Sequence, residues 1–277
     1  MTQPLERPNL HYHAILTGEP DAWLARYCKA RAGEKGIVFC RTRAETERIA
    51  AMLTEDGIPA ACYHAGLPGE QRERVQDWFA GGELPVLAAT SAFGMGVDIP
   101  DIRYVVHAGL CGSVQDYVQQ AGRAGRDGRP SACVQLITPA ELDWYRRYLR
   151  GSRDAEADRA VTALLRILLE EDCISRGLIR CFGQKSRPCG TCSACLRRKK
   201  GDTGPLASTP RLSGMTPRDL REWCLRTSRD RLARERGIRP SRLLTEGQLI
   251  AAAERGQLPE DSLDSEALAR FCAAVRF

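Results

Sequence analysis

A regular alternation of short apolar runs and longer amphipathic segments dominates the sequence between residues 34 and 150. The runs GIVFC, PAACYHAG and LPVLAAT are typical of strands, and the segments TRAETERIAAMLTEDG and PGEQRERVQDWFAGG are typical of helices. Strand–helix–strand repetition of this length predicts an α/β fold, a parallel sheet covered by helices. Further strands are expected at Tyr104–Val106 and Ala132–Ile137, and further helices at Ser113–Ala121 and Pro139–Leu149.

The first predicted helix has recognisable ends. Thr42 and Glu45 have the spacing of a capping box, in which a side-chain oxygen accepts a hydrogen bond from the backbone of the first turn. Gly57 follows the apolar positions of this segment and predicts the end of the helix.

Beyond residue 150 the pattern indicates helices only. DAEADRAVTALLRILLEEDC predicts an amphipathic helix, and KKGDTGPLASTPRLSGMTP has the composition of a linker. Short helices are expected in RDLREWCLRTSRDRLARERG, LTEGQLIAAAERG and SEALARFCAAVRF. We therefore divide the chain into a lead-in (1–33), the α/β domain (34–152), a helical segment (153–200), a linker (201–215) and a small all-α module (216–277).

Composition excludes two broad classes of protein. The 277 residues contain no apolar run long enough to cross a bilayer, and the first residues lack the build of a secretion signal. The sequence has 12 cysteines, but five of them lie between Cys173 and Cys195, which favours metal binding over disulfides. We expect a soluble cytoplasmic protein with no membrane partner, associated with the nucleoid if it is bacterial.

The cysteine cluster predicts a structural zinc site. Cys173, Cys189, Cys192 and Cys195 have the spacing C-x15-C-x2-C-x2-C, and four thiolates complete a tetrahedral Zn²⁺ site with no position left for water. Cys181 is the remaining cysteine of the cluster, and we assign it to packing. Two alternatives stay open: Cys181 replaces Cys173 as a ligand, or the cysteines are structural and bind no metal.

Positive charge is concentrated in one part of the chain. The net charge is +6, yet residues 1–172 contain 20 basic against 24 acidic side chains. Residues 173–200 contain no acidic side chain and eight basic ones: Arg176, Arg180, Lys185, Arg187, Arg197, Arg198, Lys199 and Lys200. Such a segment attracts a polyanion, which makes these residues candidates for DNA binding. The alternative is a solvated basic face without a partner.

A second basic motif points to phosphate. The stretch QQAGRAGRDG places Arg123 and Arg126 in a glycine-spaced turn, and arginine binds phosphate oxygens through its planar fork. The sequence contains no G-x-x-x-x-G-K-[ST], the motif that would hold the phosphates and Mg²⁺ of a nucleotide. Alternatively, these two arginines pair with acids at a helix end.

Several of these stretches together resemble one family. VLAATSAFGMGVDIPDIRYVVH and QQAGRAGRDG resemble motifs V and VI of the RecQ family of DNA helicases, and GIVFCRTR with YHAGL resembles its motif IV region. The resemblance begins near RPNL, which in that family lies at the junction between the two lobes, and continues to about residue 200. It implies a second RecA-like lobe followed by a helical zinc-binding subdomain. The tail from LREWC onward is similar to the family's HRDC module. The arginines of the tail either form a phosphate-binding face or are simply solvated.

The resemblance also implies roles for individual residues. Arg126 matches the arginine finger and Arg123 its companion, while the nucleotide side would include Gln119, Asp98, Gly94 and Gly96. Thr42 and Thr90 match positions that contact the phosphates of single-stranded DNA; without the motif, each threonine is equally a cap or a strand end. ATP and Mg²⁺ would bind only if a separate first lobe completed the site.

The sequence therefore predicts a DNA-binding protein of recombination or repair that does not hydrolyse ATP alone. Single-stranded or junction DNA is the expected partner. One alternative is half of a 3′–5′ DNA helicase that works with a first lobe on another polypeptide or in a longer protein. The other is an adaptor that binds repair proteins and uses zinc only for stability.

Overall fold

The computed structural model describes residues 6–93, 98–138, 140–142, 145, 155–169, 173–199, 222, 225, 226, 229, 233 and 236–255. Its centre is a sheet of six strands: β1 (Leu10–Leu16), β2 (Lys35–Phe39), β3 (Ala60–Tyr63), β4 (Val86–Ala89), β5 (Ile102–His107) and β6 (Ser131–Ile137). The strand order is β1-β6-β5-β2-β4-β3, and every neighbouring pair is parallel. The predicted RecA-like α/β fold is confirmed.

Helices cover both faces of this sheet. In the lobe they are α1 (Pro20–Lys29), α2 (Arg43–Glu55), α3 (Gly69–Gly81) and α4 (Val114–Ala121). Three more follow: α5 (Ala155–Leu169), α6 (Ile174–Cys181) and α7 (Ser193–Lys199). Successive residues of a strand face opposite sides, so Ile37 and Val38 belong to different cores. One core contains α1 and α2, and the other contains α3 to α7.

The structure adds two elements at the amino-terminal end, and it places α6 and α7 within the segment that we expected to be helical. Strands β2 to β6 and helices α2 to α5 form where the sequence pattern places them, whereas β1 and α1 lie within the segment that we treated as a lead-in. Strand β1 reads LHYHAIL, in which buried residues alternate with half-buried ones. The half-buried positions include His11 and His13, so the apolar–polar alternation of a strand was present in the sequence and was missed. β1 pairs with β6 along its whole length.

The tail is described only in part. A 3-10 turn (Pro240–Arg242) precedes α8 (Glu246–Arg255), which is one of the predicted tail helices. Leu225, Leu249, Ala252 and Ala253 form a small core. The proposed linker at 201–215 and the predicted helix in SEALARFCAAVRF lie outside the described residues. Among the helices that the structure describes, none combines the length and the apolar composition of a membrane span.

The central strands leave no room for a side chain at Gly36. Gly36 is paired with Tyr104 across β2 and β5, and a Cβ atom at Gly36 would lie 1.9 Å from Cε2 of that buried ring. We expect Gly36→Ala to lower the free energy of unfolding by about 1 to 3 kcal/mol, because the ring has to leave its rotamer. Thermal and urea unfolding would measure the change.

Gly69→Ala provides the matched control. Gly69 begins α3, and a Cβ there meets no atom within 4 Å, so we expect a change of less than about 0.5 kcal/mol. Equal unfolding midpoints for the two variants would contradict this account of the sheet centre.

Candidate functional site

The arginine turn, residues 122–130, lies at the amino-terminal edge of the sheet. It connects the end of α4 to the start of β6. The backbone N–H of Gly125 donates to the carbonyl of Ile102 at 2.9 Å, and the N–H of Asp127 donates to the carbonyl of Pro100 at 3.2 Å. These two hydrogen bonds fasten the turn to the residues that open β5.

Side-chain contacts reinforce the same attachment. Nη2 of Arg103 lies 2.7 Å from both carboxylate oxygens of Asp127 and also donates to the carbonyl of Pro100. The hydrogen bond from Arg103 lowers the pKa of Asp127, so this carboxylate is charged at neutral pH. Gly125 has a φ of +55°, a left-handed conformation that favours glycine. The Arg103–Asp127 ion pair thus adds a side-chain attachment to the two backbone hydrogen bonds.

Arg126 and Asp98 form an ion pair on this turn. Nη1 of Arg126 lies 2.7 Å from Oδ1 of Asp98, whose side chain is 82% exposed. The structure thus brings together two residues that the sequence analysis assigned to the nucleotide side. It also shows that the alternative of pairing with an acid applies to Arg126.

Arg123 differs from its companion. Its side chain is half-buried, and in the described part of the chain no carboxylate lies within 4.0 Å of its guanidinium. Burial lowers the pKa of Arg123, and the neighbouring charge of Arg126 lowers it further. A guanidinium remains protonated in proteins all the same, so the turn holds a charge that an anion would stabilise.

The other predicted nucleotide-side residues are only partly placed. Gln119 is exposed near the end of α4, four residues before Arg123. Gly94 and Gly96 lie outside the described residues.

Thr42 and Thr90 lie at the opposite edge of the sheet, where β2 and β4 end. Oγ1 of Thr42 accepts from the N–H of Glu45 at 3.1 Å, as the capping spacing predicts. The side chain of Glu45 reaches back past Thr42, and its Oε2 accepts a hydrogen bond from the N–H of Arg41 at 3.0 Å. Thr90 is half-buried, and its N–H donates to the carbonyl of Tyr63 at 3.1 Å. Both hydroxyl groups can still donate to an anion.

A cleft of about 550 Å³ opens beside Thr42 at this carboxyl-terminal edge. Its lining includes Arg41, Thr42, Arg48, Thr138 and Glu141. Arg48 forms two hydrogen bonds with Asp21, at 2.6 and 3.1 Å, and burial raises the pKa of Glu141. The cleft therefore has a mixed charge, with the cap of α2 at its wall.

The four predicted zinc ligands meet in space. The Sγ atoms of Cys173, Cys189, Cys192 and Cys195 all lie within 4.8 Å of one another. The Sγ atom of Cys173 is 3.5 Å from that of Cys189 and 4.0 Å from that of Cys192. Tetrahedral Zn²⁺ with bonds of about 2.3 Å requires sulfur atoms about 3.8 Å apart, so the cluster fits this ion.

Backbone N–H groups surround the sulfur atoms. The N–H groups of Arg176 and Cys189 donate to Cys173 at 3.4 and 3.2 Å. The N–H of Cys192 donates to Cys189 at 3.3 Å, and Nη2 of Arg198 lies 3.6 Å from Sγ of Cys195. The thiols of Cys173 and Cys192 hold the pKa of Cys189 well below its usual value by hydrogen bonding. The same hydrogen bonds raise the pKa of the donating thiols, Cys173 and Cys192. The backbone N–H donors, by contrast, suit thiolate acceptors, the form of cysteine that binds a metal.

Cys181 takes no part in this cluster. It is the last residue of α6 and is exposed, so the alternative in which it replaces Cys173 is not supported. Our assignment of Cys181 to packing is also wrong, because the end of α6 turns its side chain toward solvent. The neighbouring Phe182 packs against the core instead.

The predicted DNA-contacting residues of the cysteine-rich segment differ in burial. Arg176 is half-buried, and five side chains are exposed: Arg180, Lys185, Arg187, Arg198 and Lys199. Arg197 is only 8% exposed, so it cannot reach a DNA backbone as we predicted. Lys200 lies outside the described residues. We call the five exposed side chains the basic patch.

Two arginines of the tail serve its internal structure. Arg226 contacts Glu222 and Glu246, and Arg229 donates to Glu246 at 3.1 Å. Both arginines are less than 10% exposed. Neither belongs to a phosphate-binding face or a solvated one, which were the two interpretations of this arginine-rich segment.

Sequence reasoning missed the side chains that hold the arginine turn, Arg7, Asn9 and Arg103. The signal was present, since Arg7 and Asn9 belong to the stretch RPNL that carries part of the family resemblance. Their contacts span more than one hundred residues of sequence, so no local pattern reveals them.

Comparisons with known proteins agree with this geometry. Residues 20–128 match the helicase conserved C-terminal domain. The ATP-dependent DNA helicase RecQ of Pasteurella multocida is 35% identical over 196 residues, which cover 69% of this chain and 31% of the relative. The Bacillus subtilis enzyme of the same name is 37% identical over 194 residues, 68% of this chain and 33% of the relative. The chain thus matches about a third of the length of these relatives.

Among solved structures, the E. coli DEAD-box protein SrmB bound to the regulator of ribonuclease activity A covers 50% of this chain. The alignment includes 84% of the SrmB chain, with 28% sequence identity and a TM-score of 0.42. The assignment of a family depends on the sequence matches, the parallel sheet and the arginine turn. These features show that the chain belongs to the RecQ family of helicases and carries its C-terminal helicase domain.

Proposed function

We propose that this chain binds DNA through its carboxyl-terminal sheet edge and basic patch, and that it does not hydrolyse ATP by itself. One observation supports the second part above all. Two arginines suited to phosphate binding lie at one sheet edge, but the sequence contains no G-x-x-x-x-G-K-[ST] motif, which would hold the phosphates and Mg²⁺ of a nucleotide. The turn is equipped to assist a nucleotide that another unit binds.

The charge and the placement of the basic side chains support DNA binding. Residues 173–199 contain no acidic side chain, and the exposed basic patch belongs to the segment that contains the cysteine cluster. Thr42 and Thr90 add hydroxyl groups at strand ends, which suit phosphate contacts that do not depend on base sequence. Single-stranded or junction DNA is the proposed ligand, since curated relatives of this chain are DNA helicases.

Zinc is proposed to stabilise the base of the patch. Cys173, Cys189, Cys192 and Cys195 would hold the ion, and no fifth ligand is needed, so its role is structural. A bound Zn²⁺ would neutralise thiolate charge and fix α6 against α7. Three of the four cysteines are buried in the core that also contains β1 and α4, so the ion would stabilise the lobe as well.

A second candidate function follows from Arg123 and Arg126. In phosphoryl transfer, an arginine supplied by a neighbouring unit stabilises charge on the transferred group and contributes about 10³ to 10⁵ in rate. Arg126 would exchange its contact with the exposed Asp98 for the phosphate. Arg123, which has no carboxylate within 4.0 Å among the described residues, would bind the same anion. The chain would then act as half of a helicase completed by a first lobe.

The zinc proposal predicts a difference between two cysteines. Wild-type protein should contain about one Zn²⁺ per chain, and Cys192→Ser should lose most of it because one of four thiolates is gone. Cys181→Ser should keep the metal, since Cys181 lies outside the cluster. Elemental analysis and thermal unfolding would measure both effects. Full zinc content in Cys192→Ser would rule out the proposed ligand set.

The DNA proposal predicts that residues of the basic patch cause a salt dependence of DNA binding. Binding to fluorescently labelled single-stranded DNA should weaken steeply with salt. In a plot of the logarithm of the binding constant against the logarithm of the salt concentration, each phosphate contacted should add about −0.7 to the slope. The double variant Lys185→Gln and Arg187→Gln should reduce this slope by about 1 to 2 and weaken binding.

The matched control is the double variant Arg26→Gln and Arg74→Gln, which removes two exposed charges on α1 and α3. It should leave the slope unchanged. A flat salt response of the unaltered chain would reject the proposal and favour a protein-binding adaptor instead.

The ATP proposal is tested by adding a first lobe. The chain alone should not hydrolyse Mg·ATP with single-stranded DNA present. If the chain is half of a helicase, the purified first lobe of a RecQ relative should restore DNA-stimulated hydrolysis. Arg126→Ala should then lower the rate by about 10³ or more, and Arg26→Ala should not. Turnover by the chain alone that Arg126→Ala abolishes would show that it contains its own ATP site.

A further inference from the structure

Arg7 and Asn9 contact the arginine turn from the other end of the lobe's sequence. Nη2 of Arg7 donates to the carbonyl of Gly125 at 2.7 Å and to the carbonyl of Ala124 at 3.2 Å. Nδ2 of Asn9 donates to the same Gly125 carbonyl at 2.8 Å and to the carbonyl of Arg129 at 3.0 Å. Four side-chain hydrogen bonds thus reach a turn that lies 116 to 120 residues away in sequence.

The two side chains are themselves fixed. Nε of Arg7 lies 3.4 Å from Oδ1 of Asn9, and the carbonyl of Arg7 accepts from the N–H of Leu10, where β1 begins. The carbonyl of Asn9 accepts from the N–H of Ser131, the first residue of β6. The segment is therefore anchored to the sheet on one side and to the turn on the other.

The absence of a side chain at Gly125 also allows the turn to pack closely against the segment that contains Arg7 and Asn9. A Cβ atom at Gly125 would lie 2.6 Å from Nδ2 of Asn9 and 2.7 Å from Oγ of Ser131. Because Gly125 has no side chain, its carbonyl can approach the amide of Asn9 closely. The turn and the lead-in have complementary shapes at this point.

We propose that Arg7 and Asn9 are positioning residues for the phosphate-binding arginines, an inference that rests on the proposed function of Arg123 and Arg126. The Gly125 carbonyl belongs to the planar peptide that joins Gly125 to Arg126. Holding this oxygen with two donors fixes the peptide plane and therefore the direction in which Arg126 leaves the backbone. A cation held in place before the anion arrives loses less freedom on binding.

The contacts also link two parts of the molecule. Arg7 and Asn9 precede β1, so any displacement of the segment that leads into the lobe would pull on the turn. The orientation of the two arginines would then depend on the position of this segment.

Amide hydrogen exchange, measured by NMR on the 277-residue chain, tests the contacts directly. The N–H groups of Gly125 and Asp127 are hydrogen-bonded and report on opening of the turn. Asn9→Ala removes two donors and should speed their exchange about tenfold. Asn9→Asp should act more strongly, because a carboxylate would face two carbonyl oxygens. Arg7→Met should resemble Asn9→Ala, and Arg7→Lys, which keeps the charge and a single donating nitrogen, should recover part of the protection.

Binding of inorganic tripolyphosphate, followed through the Nε–Hε signals of Arg123 and Arg126, tests the positioning role. The variants should bind it several-fold more weakly at an unchanged unfolding midpoint, with Arg7→Lys between Arg7→Met and the unaltered chain. Arg26→Met, a loss of an exposed charge on α1, should change neither exchange nor binding.

Two results would overturn the proposal. One is unchanged amide exchange at Gly125 and Asp127 in Asn9→Ala and Arg7→Met. The other is an increase in exchange rate throughout β2 and α2 that equals the increase in the turn. A loss of protection in the turn with unchanged tripolyphosphate binding would reject the positioning role as well. The double variant Arg123→Ala and Arg126→Ala separates this outcome from a failure of the proposed function. If that variant binds tripolyphosphate normally, the arginines do not bind phosphate, while the exchange rates still report whether the lead-in holds the turn.

Discussion

Parallel pairing of all six strands is the constraint on which the remaining structure depends. It places every loop that follows a strand at one edge of the sheet and every loop that precedes a strand at the other. Thr42 and Thr90 therefore share the carboxyl-terminal edge, and the arginine turn lies at the amino-terminal edge beside the start of β5. The two proposed phosphate contacts, one for DNA and one for a nucleotide, are separated by the length of the strands.

The edge strand β1 joins this sheet to the cysteine cluster. The backbone N–H of Ala14 in β1 donates to Oγ of Ser193, the first residue of α7, at 3.2 Å. Cys173, Cys192 and Cys195 belong to the same apolar core as residues of β1 and α4. An exposed strand edge pairs readily with other chains, and here the cysteine-bearing segment covers part of it. The cysteine cluster is thus an extension of the lobe's core.

Arginine in this protein serves two distinct purposes that its sequence does not separate. Arg103, Arg226 and Arg229 are largely buried in contacts with carboxylates, and they fix the turn and the tail. Arg123 is half-buried with no carboxylate near it in the described residues, and the basic patch is exposed. The charge composition of residues 173–200 correctly marked a basic surface, yet it could not exclude Arg197, because burial depends on which face of α7 meets the core.

The sequence by itself determined the class of fold, most strand and helix positions, the spacing of the four clustered cysteines, and the turn that carries Arg123 and Arg126. These features are local, since strand and helix periods, capping residues and cysteine spacing are properties of neighbouring residues. Only the tertiary structure decided that β1 completes the sheet, that Cys181 is exposed while four other thiols converge, and that Arg126 contacts Asp98. It also decided that Arg7 and Asn9 hold a turn more than one hundred residues away. Such contacts form when strands distant in sequence become neighbours, and no local pattern records which strands those will be.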